Sequence, residues 1–130
     1  AKEFAPPKQK LNCMEECDTC KSGKKSKQCL GKNAVYEITC SHCGILYIGE
    51  TGRTIGWRIK EHLTMEKQTV YKHLESHKET GHTPNHNDIT WRILHSNIKF
   101  ADERKCIEAF EIQKKSHNIM SGCIGKTITI

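Results

Sequence analysis

Ala34-Val35-Tyr36-Glu37-Ile38-Thr39-Cys40, then Ser41-His42-Cys43-Gly44, then Ile45-Leu46-Tyr47-Ile48-Gly49 is the stretch that decides the fold. Its first run alternates and is β-prone, its last is apolar and β-prone, and the four residues between them read as a turn. The stretch therefore predicts a β-hairpin, although its loop is not a standard two-residue turn. The hairpin carries two tyrosines, Tyr36 and Tyr47, and a Cys-x-x-Cys pair, Cys40 and Cys43.

Working outward, Glu50-Thr51-Gly52-Arg53 is a loop and Thr54 is placed to cap a helix running to about Thr64. Ile55, Ile59 and Leu63 recur every four residues and form its buried stripe. Arg58 and His62 share another face, also four apart. Residues 68–79 read as a second helix with His73 and His77 one turn apart, ended by Gly81, Pro84 and Asn85. Ile89 to His95 reads as a third strand. Ala101 to about Ser116 reads as a helix with Asp102 and Glu103 at its dipole-positive end. Ile124, Ile128 and Ile130 alternate in the tail and suggest an edge strand. The order predicts a small α+β domain, an antiparallel sheet flanked by helices, over residues 34–130.

Residues 1–33 have a different composition. They hold eight lysines against four acids, so most of the net charge of +6 lies in them. They have too few apolar residues for a core, and such a segment folds only if it is stapled. Cys13, Cys17, Cys20 and Cys29 supply the means, as a four-cysteine zinc site. A basic arm on a near-neutral body suits contact with a phosphate backbone, although four thiolates on one zinc would offset part of that charge. The alternative is a solubilising lysine tail. Eight cysteines in 130 residues also admit a secreted disulfide protein, but their compact clusters and the eight histidines fit zinc in a reducing compartment better. No apolar run approaches the roughly 20 residues of a membrane span, and the first residues lack the apolar core of a secretory signal. The chain lacks an initiator Met, and we expect a piece of a longer protein.

Ala34-Val35-Tyr36, Tyr47-Ile48-Gly49, Arg58-x-x-x-His62 and Glu108-Ala109-Phe110-Glu111-Ile112, in this order and spacing, resemble the GIY-YIG nuclease family. The resemblance implies hydrolysis of a DNA phosphodiester with one divalent metal, Mg²⁺ or Mn²⁺. Glu108 would be the metal ligand, with Glu111 its competitor one turn on. Arg58 would clamp the scissile phosphate through its planar fork. Tyr36 and Tyr47, side by side across the hairpin, would position or deprotonate water. His62 would serve as acid–base partner or phosphate donor. Arg53 and Lys60 would contact the DNA backbone. The family pattern often closes with an Asn after the metal Glu. Here that position falls near Cys123, and Asn118 comes five residues early.

Two cysteines between the tyrosine motifs, with histidines downstream, are similar to the endonuclease of Penelope-like retroelements, where they imply a structural zinc site of two Cys and two His. Cys40 and Cys43 are one half-site. Spacing admits either His73 with His77 or His77 with His82 as the other, and the Thr80-Gly81-His82 ending favours His77 and His82. Cys13-x-x-x-Cys17-x-x-Cys20 resembles the cysteine cluster of the linker that precedes that endonuclease. The resemblance implies about two Zn²⁺ per chain and a nick whose 3′-hydroxyl primes reverse transcription. Its implied partners are target DNA, the element's RNA and an upstream reverse transcriptase domain of the same polypeptide, with nuclear localisation. The rival expectation is a non-catalytic, zinc-stapled nucleic-acid-binding module with a degenerate site.

Overall fold

A computed structural model describes residues 28–120. Cys13, Cys17, Cys20, Cys123 and the expected C-terminal edge strand lie outside the described residues.

The hairpin forms as the alternation requires. Strand β1 (Ala34–Cys40) pairs antiparallel with β2 (Leu46–Thr51) and, on its other edge, with β3 (Ile89–His95), so the sheet order is β2-β1-β3. The connecting turn closes with Gly44 N–H donating to the Cys40 carbonyl, and Gly44 takes a φ of 80°, which favours glycine. Tyr36 pairs with Gly49 and Ile38 with Tyr47. The two tyrosines are thus diagonal neighbours on one face, because the register places a glycine across from Tyr36. Trp91 and Ile93 of β3 face Ile38 and Tyr36, and a register shift between Val35 and Tyr36 leaves Leu94 as the extra residue.

Helix α1 (Ile55–Thr64) buries Ile55, Ile59 and Leu63 as its period demands, and His62 with them. Thr54 occupies the N-cap position in extended backbone, but its side chain makes no capping bond. The Ile55 N–H instead donates to the Gly31 carbonyl, which ties the 3₁₀ turn Gln28–Leu30 to α1. Helix α2 (Thr69–Glu75) is shorter than the expected 68–79. Ser76 donates through both its N–H and its hydroxyl to the end of the helix, and a separate 3₁₀ turn, Lys78–Thr80, follows. Helix α3 (Ala101–Lys114) ends two residues short of the expected Ser116, with Lys115 as its C-cap, and a 3₁₀ turn (Ser116–Asn118) follows. Beyond it Ile119 bridges Leu46 in parallel at the sheet's β2 edge.

Helix α1 meets the sheet face that carries Tyr36 and Tyr47. Helix α3 supplies partners to the opposite face: Arg104 to Glu50, Lys115 to Glu37 and Glu111 to His95. Val35, Tyr36, Ile38 and Ile48 are fully buried, since both faces of β1 are covered. No helix among the described residues is long and apolar enough to cross a membrane.

Candidate active site and metal centre

The close approach of the two tyrosines depends on one residue. A Cβ at Gly49 would lie 2.5 Å from the Tyr36 hydroxyl oxygen and 2.9 Å from a Tyr47 ring carbon. Tyr36 is fully buried and has nowhere to go. Glycine at the end of Tyr47-Ile48-Gly49 is therefore the space in which the phenol of Tyr36 lies. The rings sit 6.4 Å apart, centroid to centroid, and His62 closes the group at 5.8 Å from Tyr36 and 4.8 Å from Tyr47. The Tyr36 hydroxyl and His62 Nε2 are 2.7 Å apart.

Burial pushes the Tyr36 phenol well above its ordinary pKa, and the neighbouring charges of Tyr47 and Glu108 act in the same direction. The guanidinium of Arg58 opposes them through its charge and a hydrogen bond to the phenol. A guanidinium only donates, so the phenol oxygen accepts from Arg58, and the same hydroxyl shares a second hydrogen bond with His62 Nε2. Arg58 itself stays charged: burial opposes its charge, and the surrounding tyrosines and Glu61 more than restore it.

The structure thus brings Tyr36, Tyr47, Arg58 and His62 together and sets the buried Glu108 where its charge reaches Tyr36. It separates the two candidate carboxylates. Glu111 is committed to the end of β3 and of α3, 2.8 Å from His95 Nε2, with Lys114 at 3.4 Å and Lys115 at 3.8 Å. These neighbours hold its carboxyl below the ordinary range against the effect of burial. Arg53 lies just before α1 and forks onto Glu61, while Lys60 is exposed on α1. Asn118 donates to the Gly44 carbonyl, at the hairpin turn.

The cysteine pair sits at the other end of the hairpin. Cys40, Cys43, His73 and His77 offer ligand atoms that all lie within 4.8 Å of one another. Cys40 Sγ is 3.6 Å from His77 Nε2, Cys43 Sγ is 3.2 Å from His73 Nε2, and the two imidazole nitrogens are 3.3 Å apart. A tetrahedral zinc with bonds of about 2.0–2.3 Å requires ligand–ligand edges of roughly 3.3–3.8 Å, so the donor set fits that ion. His77 Nδ1 donates to Glu79 at 3.0 Å, which leaves Nε2 facing the cluster. His82, the expected fourth member, is not in this group: the alternate, His73, takes the position. His73 and His77 stand one turn apart at the end of α2, whereas His82 follows Gly81, whose φ is 73°. The His82 ring turns instead to the Thr83 carbonyl at 2.7 Å and toward Asp88 at 3.7 Å. Cys29 is buried against the apolar core, and its three expected partners lie outside the described residues.

Three supporting residues had no signal strong enough to read from sequence. Glu61 accepts from both Arg53 and Arg58, and only its place three residues after Arg58 hints at this. His42, inside the Cys-x-x-Cys turn, reaches Asp88 at 2.8 Å and ties the turn to the segment before β3. Arg104 is buried and donates to Glu50, Asn33 and the carbonyls of Ile98 and Lys99, fixing the start of α3 one turn before Glu108.

Residues 32–118 match the family model described as the GIY-YIG catalytic domain. No curated protein and no solved structure matches the chain.

Proposed function

The chain belongs to the GIY-YIG nuclease family, and on that premise we propose that it is a metal-dependent DNA endonuclease of a Penelope-like retroelement. Its nick would leave a 3′-hydroxyl that primes reverse transcription of the element's RNA. The observation that carries the catalytic part is the convergence of Tyr36, Tyr47, Arg58 and His62, with the buried Glu108 placed so that its charge acts on Tyr36. The retroelement part rests on the zinc-type cluster built into the hairpin.

A phosphodiester resists attack because its anionic oxygens repel the nucleophile. Arg58 is the cation that offsets this charge, and its planar fork suits two phosphate oxygens. Glu108 would hold the divalent cation, since it is a buried helix carboxylate whose charge reaches Tyr36, and hard cations take oxygen ligands. When bound, that ion supplies further charge at the phosphate and acidifies a water. Tyr36 stays protonated at neutral pH because of its burial, so it orients the attacking water and does not deprotonate it. His62 hydrogen-bonds the Tyr36 hydroxyl and fixes the phenol's orientation. Cys40, Cys43, His73 and His77 would hold a structural Zn²⁺ that joins the hairpin to α2. Arg53 and Lys60 would touch the DNA backbone. Cys13, Cys17, Cys20 and Cys29 would form a second zinc site, in an arm preceding the nuclease domain. Nuclear action follows from the substrate.

Supercoiled plasmid with Mg²⁺ or Mn²⁺ tests this. Wild type is expected to give nicked circles that a polymerase can extend, and Glu108→Ala and Arg58→Ala to give few. Variants that nick like wild type would reject the site. A wild type that binds DNA without ever nicking would select the non-catalytic module.

A further inference from the structure

Glu61 stands between two arginines and treats them unequally. Arg53 approaches as a fork, Nη1 to Oε2 at 2.9 Å and Nη2 to Oε1 at 2.7 Å, while Arg58 Nη1 donates to the same Oε1 at 3.0 Å. The Arg53 side chain is 54% exposed, against 20% for Glu61 and 19% for Arg58. Arg58 has further anchors: Gln68 Oε1 lies 3.4 Å from its Nη2, and Tyr36 interacts with it on the buried side. Among the described residues, Glu61 holds the Arg53 side chain, through a fork whose guanidinium is open to solvent, where salt and a competing anion can reach it.

Two guanidinia converging on one carboxylate describe a place where an anion is already bound. A carboxylate presents two oxygens to an arginine fork much as a phosphate does. Resting on the nuclease reading above, we propose that Glu61 is a positioning residue that aims Arg58 and also an internal competitor for DNA, occupying Arg53 until a backbone phosphate takes that arginine over. Arg58 remains on Glu61 during the exchange, because its other contacts keep it there. Arg53 leaves, because its guanidinium is the solvent-exposed partner and a phosphate offers its fork the same two-oxygen contact that Glu61 does. The carboxylate thus has two opposed effects: it lowers DNA affinity and raises the rate of the bound complex.

Glu61→Gln separates these effects from a merely structural role. The substitution keeps the shape and removes the charge. Two readouts are needed: anisotropy of a short labelled duplex across a salt series without added Mg²⁺, and single-turnover nicking with Mg²⁺. The variant is expected to bind the duplex about three- to tenfold more tightly, with a steeper salt dependence of about one extra phosphate contact. Its single-turnover rate should fall about tenfold. Arg53→Ala should abolish the affinity gain when combined with Glu61→Gln, and leave the rate defect in place. Parallel loss of affinity, rate and thermal stability in Glu61→Gln would overturn the proposal and make Glu61 structural. Wild-type affinity and rate in Glu61→Gln would overturn it as well. Failure of wild type to nick would instead strike the nuclease reading, and the binding arm alone would then decide whether Glu61 competes for Arg53.

Discussion

The two ends of the β1–β2 hairpin hold polar groups together by different means. At one end Tyr36, Tyr47 and His62 pack in the core, and the space between them is set by the missing Cβ of Gly49. At the other end Cys40 and Cys43 meet His73 and His77 in a donor set with the edges of a zinc tetrahedron. Tyr36 and Cys40 are four residues apart on one strand, so both lie on the same face, about 13 Å apart. Two successive helices cover that face, α1 at the tyrosine end and α2 at the cysteine end. Packing can hold a phenol and an imidazole because each satisfies the other. Two thiols and two imidazoles at these distances are instead a donor set suited to sharing one cation. Burial pushes the Cys40 thiol up, and burial with neighbouring imidazoles pushes His73 down.

The largest effect should come from breaking the cysteine end. Cys40→Ser should remove one Zn²⁺ per chain and lower Tm by on the order of 10 °C, read by metal analysis and calorimetry. His73→Ala should behave alike and His82→Ala should keep the metal; the reverse pattern would restore the alternative histidine pair. At the tyrosine end, Arg58→Lys should keep the charge but lose the fork, lowering the nicking rate about 10²-fold with zinc content unchanged. Equal loss of zinc would mean the two ends are one unit. Gly49→Ala should overpack the tyrosines and destabilise the fold by about 1–3 kcal/mol, measured by urea unfolding.

The smallest effect concerns the sheet's other face. Lys115 and Arg92, at 2.6 and 2.8 Å, hold Glu37 below its ordinary value of 4.5 against the opposing effect of its burial. A depressed carboxylate stabilises the fold above that ordinary value, and the contribution is lost as pH falls through the lower folded value. Wild type should lose stability as pH drops below about 4.5, and Glu37→Gln should flatten that part of the curve while leaving nicking near neutral pH intact.

What could be read from sequence divides along the same line. The hairpin, the Ile55, Ile59 and Leu63 stripe and β3 follow from periodicity, which is local. The pairing of His77 was open because both spacings fit zinc, and the choice depends on where α2 stops, which the Ser76 hydroxyl and the turn at Gly81 determine. The diagonal offset of the tyrosines depends on a register that a four-residue turn leaves open. Arg104 and Glu61 act across 54 and 8 residues of chain, and no residue pattern announces such partners. Glu108 and Glu111 look equivalent one turn apart, until His95, Lys114 and Lys115 claim the second.

The most direct measurement is the initial rate of plasmid nicking by Glu108→Gln at matched zinc content and matched DNA occupancy. A loss of at least about 10³-fold is expected, the scale of several kcal/mol that a catalytic cation contributes, with Tm and zinc equal to wild type. Nicking at the wild-type rate would contradict it, and the tyrosine end would then be packing alone.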